Sequence, residues 1–254
     1  MNMASEFLRR PFCDLYHEGI FLILQDGLNL VRIDVPKIFA LPENELNRLW
    51  EPDYFRVFLS HKAEYKKETA KLKYFLLNYG ITCFVAHDDI EPTKEWQDEI
   101  EKALFSMDAM VALLTDDFHE SNWTDQEIGF SMGMNKLIIP VNLGRDPYGF
   151  IGKYQAINGK KLDLSILAQN IFEILFKKPE TKDKIIETLI TRFEKSTSFD
   201  HSRILMVYLT QIESASRKLI NRLENAPKNN FQVEGCNKVK KELPALIEKL
   251  KSHL

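Results

Sequence analysis

Cysteine is scarce and unpatterned in this chain. Cys13, Cys83 and Cys236 are the only three in 254 residues. They lie far apart, with neither disulfide nor zinc spacing, which excludes a disulfide framework and makes a reducing, cytoplasmic setting the expected one. No apolar run approaches the roughly 18 residues of a membrane span, so no membrane partner is expected. Arg9 and Arg10 near the start are followed by Pro11, Phe12, Cys13 and Asp14 rather than a long apolar stretch, which argues against a signal peptide. The formal charge is −3 and no segment is basic enough to track phosphates, so nucleic acid is not an expected partner. The six histidines (His17, His61, His87, His119, His201, His253) never fall in ligand spacing, so no metal site is expected. There is no GxGxxG after the first strand, no GxxxxGK[ST], no HExxH and no GxSxG. Internal repeats and low-complexity tracts are also lacking. What remains, 44% hydrophobic and 28% charged residues, is the composition of an ordinary globular protein.

Three zones follow along the chain. Residues 1–52 form an N-terminal extension. There, IFLILQ (20–25) and LNLVRIDV (28–35) flank Asp26-Gly27, a hairpin signal, with a buried helix at 19–24 as the alternative. A short helix is expected from Glu43 to Trp50. Residues 53–177 alternate apolar strands with amphipathic helices. Strands are expected at 55–60, 81–86, 108–115 and 137–143. Helices are expected at 63–79 (closed by Gly80), 95–107, from the Ser121–Gly133 stretch, and at 164–176. Continuous apolar strands between such helices predict an α/β fold, a small flavodoxin-like parallel sheet of four or five strands covered on both faces. Its ligand crevice should lie beyond the carboxyl ends of the strands. Those ends are Ser60-His61, Ala86 to Pro92, Thr115 to Trp123, and Asn142 to Tyr148.

Residues 178–254 lack strands and predict a C-terminal helical region. Ile185, Leu189 and Phe193 are spaced as one helix face, and Leu205, Leu209, Ile212, Leu219 and Leu223 as a longer one. Asn225 to Gly235 reads as a loop. Val239, Leu243, Leu246 and Leu250 repeat at 4-3-4 spacing, with Pro244 as a start or kink. Packing within the chain and a coiled-coil seam between chains both accommodate that repeat.

Four separated motifs then fit one family. They are the FLSH end of the first strand, the loop FVAHDDIEP, W-x-x-E-I (Trp96 to Ile100) and S-x-W-x-x-x-E-I-G (Ser121 to Gly129). Their order and spacing resemble a Toll/interleukin-1 receptor (TIR) domain of the bacterial type, over about half the chain. The resemblance implies a cytoplasmic protein that takes NAD⁺ as substrate, with no further cofactor. Its activity would be NAD⁺ glycohydrolase or ADP-ribosyl cyclase chemistry at the nicotinamide–ribose bond. It implies Glu127 as the catalytic carboxylate and Trp123, four residues earlier, as a stacking surface in the same pocket. Ser60, His61 and Lys62 would meet ribose or phosphate, Lys62 having the charge for a diphosphate. Phe84 would lie near the nicotinamide, or else in the strand core. The loop carrying Asp88, Ile90 and Glu91, together with Trp96, would contact a neighbouring subunit and complete the site in a homo-oligomer. Many relatives have a glycine after the position of Pro92; here Thr93, Lys94 and Glu95 fill that gap.

A single carboxylate suits this chemistry. Nicotinamide leaves as a neutral molecule from a cationic pyridinium, so no acid need protonate it, unlike ordinary glycosides, which use two carboxylates. What forms is an oxocarbenium-like ribose, which one carboxylate stabilises. Water as nucleophile gives ADP-ribose, and an internal nucleophile gives a cyclic product; both stay open. The family role would be antiphage defence through NAD⁺ depletion or a nucleotide signal, with a partner or effector protein. Two alternatives stand beside it: a non-catalytic TIR scaffold for protein–protein signalling, and a deoxyribosyltransferase-like enzyme using one Glu at a ribose.

Overall fold

The computed structural model describes residues 21–26, 29–34, 41–85, 96–121 and 123–253. The chain divides into two compact units, Met1–Glu45 and Leu46–Leu254. In the first, β1 (Phe21–Asp26) pairs antiparallel with β2 (Asn29–Asp34), Asp26 opposite Asn29. The hairpin therefore forms where the alternative reading placed a helix; Gly27 itself lies outside the described residues. Helix α1 (Glu43–Leu49) crosses the boundary between the units.

The second unit alternates strand and helix in the expected order. The elements are β3 (Phe55–Ser60), α2 (Lys66–Leu77), β4 (Ile81–Phe84), α3 (Trp96–Ser106), β5 (Ala109–Leu114), α4 (Thr124–Gly133), β6 (Leu137–Asn142), β7 (Ile157–Asn158) and α5 (Leu164–Lys177). The five strands are parallel, in the order β4-β3-β5-β6-β7. All six residues of β5 are buried, as a strand covered on both faces requires. The edge strand β7 has two residues, too short for any periodicity to reveal it. The helix expected from Ala63 starts as a 3-10 turn over Ala63–Tyr65 before α2. After α2, Gly80 takes φ 79°, and a Cβ there would come within 3.0 Å of Arg192 Nη1. Both the turn and that close approach favour glycine.

The C-terminal helices are α6 (Pro179–Glu194), α7 (Phe199–Leu209), α8 (Arg217–Asn229), α9 (Phe231–Glu234) and α10 (Asn237–Lys251). The expected single long helix over 205–223 is two, α7 and α8. Ser216 caps the second by accepting from Leu219 N–H at 3.4 Å, and Ile212 stays buried in the link. The expected loop over 225–235 is overturned. Pro227 sits in the last turn of α8, and Asn230 starts α9 by accepting from Gln232 N–H at 2.8 Å. The Asn230 amide also donates to Glu194 O and Ser196 O, both at 2.9 Å, which pins the link to α6. Pro244 lies inside α10, not at its start.

Val239, Leu243, Leu246 and Leu250 are all buried within this chain, in the same hydrophobic cluster as the sheet face and α5. The repeat is therefore used within the chain, not as a seam between chains. Tyr79 stacks on Phe172 of α5, ring centroids 4.9 Å apart, and Phe172 meets Tyr208 of α7 at 5.1 Å. Residues 178–254 thus share one core with the sheet. Among the described residues, no helix is long and apolar enough to cross a membrane.

Candidate active site

The carboxyl end of β3 and the start of α4 meet around one buried acid. In α4 the residues at 124, 127, 128 and 131 are buried. This 3-4 spacing is the stripe a helix turns to its core. Thr124 closes the first turn by donating its Oγ1–H to Phe118 O at 2.7 Å. Ser131 donates to Glu127 O at 2.7 Å. Glu127 therefore stands where an apolar residue would ordinarily be, and only 5% of it is exposed.

Its partner comes from across the sheet. Ser60, the last residue of β3, donates its hydroxyl to Glu127 Oε2 at 2.6 Å. Burial pushes the Glu127 carboxyl from 4.5 up to about 7, and the Ser60 hydrogen bond restrains that rise. A buried carboxyl at a strand end with its pKa raised towards neutrality is a candidate for acid–base or electrostatic work.

Trp123 sits at the N-cap of α4, half-buried, with its carbonyl accepting from Glu127 N–H at 2.9 Å. It offers no side-chain cap; instead Ser121 Oγ accepts from Trp123 N–H at 3.3 Å. His61 is buried, and its Nδ1 lies 2.9 Å from Leu59 O. A carbonyl only accepts, so Nδ1 carries a proton.

The remaining expected residues are placed differently. The Lys62 ammonium is held by Asp117 at 2.5 Å and Glu120 at 3.3 Å. Those contacts raise its pKa and lower that of Asp117. A diphosphate at Lys62 would have to compete with two carboxylates. Phe84 is fully buried, stacked on Phe58 at 5.4 Å and tilted against Trp50 at 6.2 Å, so among the described residues it belongs to the core. Asp88, Ile90 and Glu91 lie outside the described residues. Trp96 opens α3, and only its backbone is described.

Sequence reasoning did not find the group beside this site that follows β6. Arg145 lies over the Tyr148 ring at 4.5 Å and donates to His119 Nδ1 at 2.8 Å. The Tyr148 hydroxyl donates to Asp125 Oδ1 at 2.5 Å, which with burial pushes its pKa up. Only the position of Asn142 to Tyr148 at a strand end pointed there. Among the described residues, no cluster of three His, Cys, Asp or Glu could hold a metal.

A family model described as TIR domain matches residues 57–166. Among solved structures, the chain is similar to the TIR domain of the Toll-related receptor TRR-2 from Hydra magnipapillata. That match has 19% identity and a TM-score of 0.39, and covers 46% of this chain and 94% of that one. No curated protein matches the chain. The stretch that carries β3 to β6, Ser60 and Glu127 is a TIR domain.

Proposed function

We propose that this TIR domain cleaves the nicotinamide–ribose bond of NAD⁺, with Glu127 as the catalytic carboxylate. The observation that supports this most is the buried Glu127 on the α4 stripe, held by Ser60 at the end of β3 and titrating near neutrality. As the C–N bond breaks, its electron pair leaves with neutral nicotinamide. The ribosyl carbon becomes electron-poor, and the ionised Glu127 stabilises it in a site where burial strengthens the field. Water then adds at that carbon and loses one proton, giving ADP-ribose; an internal nucleophile gives a cyclic isomer. In this reading Ser60 now makes the hydrogen bond to Glu127 that a ribose hydroxyl makes when substrate enters. Trp123, half-buried four residues earlier, supplies an aromatic face. TIR domains generally self-associate, and the loop of Asp88, Ile90 and Glu91 belongs in this proposal to the contact that completes the pocket in a homo-oligomer.

The test is an incubation of concentrated full chain with NAD⁺, products separated by chromatography and mass, wild type beside Glu127→Ala. Nicotinamide released by wild type alone supports the enzyme. The scaffold reading is favoured by one observation, that Glu127 is only 5% exposed and already bonded. It expects no nicotinamide from either protein and a partner-binding signal that Glu127→Ala leaves intact.

A further inference from the structure

The opposite end of the sheet carries a second arrangement of charge. α4 finishes with Asn135 at a left-handed φ of 51°. Asn135 N–H bonds to Met132 O at 3.0 Å, and Lys136 N–H reaches back to Ser131 O at 2.9 Å. This paired closure of a helix end fixes the backbone of Lys136 directly before β6. In the sheet, Ala109 pairs with Leu137 on one side and Val57 on the other. Arg56, Asp108 and Lys136 each stand one residue earlier, so they form a row across three adjacent strands.

The only acid in that row is fully used. Asp108 Oδ2 accepts from Arg56 N–H at 2.9 Å, and Oδ1 pairs with Lys184 of α6. The Arg56 guanidinium donates to Ser106 O at 3.4 Å. Among the described residues, the Lys136 ammonium has no ion pair or hydrogen bond. Burial pushes its pKa down; Asp108 opposes that, while Lys184 and Arg56 add to it. Lys136 lines a cleft of about 280 Å³ together with Asp108, Asn135, Glu180, Thr181 and Lys184. Withdrawing an ammonium from water without an anion beside it is unfavourable. Two cations, Lys136 and Lys184, and two acids, Asp108 and Glu180, line the cleft, and Arg56 adds its positive field at Lys136.

We propose that this cleft binds a phosphate group, free or at the end of a small ester, with Lys136 as its first ligand and Lys184 as its second. Lysine is a compact charge with three donors, so Lys184 can hold Asp108 and a phosphate oxygen together. A dianion matches Lys136 and the remaining donors of Lys184 better than a single carboxylate does. The volume is at the small end of ligand pockets and suits a sugar-sized ester, not a dinucleotide. A ligand there bridges the amino ends of β5 and β6 to α6, and so links the TIR sheet to the C-terminal helices. This site is independent of the Glu127 reading.

The test is thermal unfolding of the full chain at pH 7 in rising potassium phosphate, against potassium chloride at equal ionic strength. Ligand that binds only the folded state raises the midpoint. A saturable rise in phosphate beyond that in chloride is expected. Lys136→Met, which keeps the aliphatic stem, should weaken half-saturation at least fivefold, and Lys160→Gln at an exposed position should not. Tighter binding of ribose 5-phosphate assigns the site to an ester; equal or weaker binding assigns it to free phosphate. The ³¹P line of inorganic phosphate gives a readout on wild type that needs no variant. Broadening that ribose 5-phosphate reverses assigns the site to the ester; broadening that persists beside it assigns the site to the free ion. Equal midpoints in phosphate and chloride, an unbroadened line, or a Lys136→Met response equal to wild type would overturn the proposal.

Discussion

At the scale of single residues, Glu127 is the costly one. Its folded pKa of about 7 lies above the unfolded value of 4.5. Below pH 4.5 both states hold the proton and nothing is lost. Between the two values the unfolded chain releases its proton first, so rising pH erodes stability. Above pH 7 the loss is complete, at about 3 kcal/mol, because each tenfold change in proton affinity is worth about 1.4 kcal/mol. Glu127→Gln keeps an oxygen for Ser60 and removes the charge. It should be more stable than wild type by about that amount at pH 8, with the gap closing towards pH 4.5. Denaturant unfolding at the two pH values measures it; equal gaps at both would mean that the acid is not desolvated.

Ser60 works the other way. Its hydrogen bond restrains the rise, so Ser60→Ala should raise the Glu127 pKa further. The pair was legible in the sequence only by halves. FLSH and S-x-W-x-x-x-E-I-G each pointed to a strand end or a helix start. That the two groups, 67 residues apart, form one hydrogen bond depends on β3 and β5 being neighbours in the sheet. The partners of Lys62 were hidden for the same reason. Its charge is visible in sequence, but the carboxylates that hold it are 55 and 58 residues away.

At the scale of elements, α1 is fastened to the domain by a buried pair. Glu99 of α3 is 1% exposed; its Oε1 accepts from Arg48 Nη2 at 2.7 Å, and its Oε2 is ion-paired with Nη1. Just after α1, Trp50 Nε1–H donates to Ser106 Oγ at 2.8 Å. Among the described residues, Arg48→Ala leaves the buried Glu99 carboxylate with Lys102 alone, 3.8 Å away, so it should destabilise by about 2 kcal/mol. Replacing both by Met should recover most of it. Urea unfolding of the two variants decides; a cost of less than about 0.5 kcal/mol for Arg48→Ala would place the pair with ordinary surface bridges. The strands were readable because β3, β4, β5 and β6 are continuous apolar runs. The C-terminal loop was misread because Asn225 to Gly235 is rich in Asn, Pro and Gly. Pro227 sits inside α8, where proline is ordinarily disfavoured, and the Asn230 contacts to Glu194 and Ser196 that order the segment come from tertiary structure.

At the scale of the whole molecule, the sheet and the C-terminal helices are one core. Leu72 and Leu76 of α2, Phe172 and Leu175 of α5, and Leu205, Leu223 and Leu246 beyond them belong to a single cluster. A fragment of residues 53–177 contains the whole matched TIR stretch, residues 57–166, yet strips the cover from α5 and Tyr79. It should therefore aggregate or elute as a mixture in size-exclusion chromatography, where the full chain gives a defined species. A well-behaved fragment would show that α6 to α10 are an appendage. Lys184 of α6 meets the sheet at Asp108, at the other end of the strands from Ser60 and Glu127, so loss of these helices should act on activity through folding.

The most direct measurement of the central claim is the pH profile of nicotinamide release from NAD⁺ by the concentrated full chain, wild type beside Ser60→Ala. The dependence of kcat/KM reports the free enzyme's essential group. Catalysis by Glu127 requires release that rises through about pH 7 as its carboxyl ionises, with the rising limb displaced to higher pH in Ser60→Ala. No release at any pH, or a profile that is flat from pH 5 to 9 and unmoved by Ser60→Ala, would contradict it.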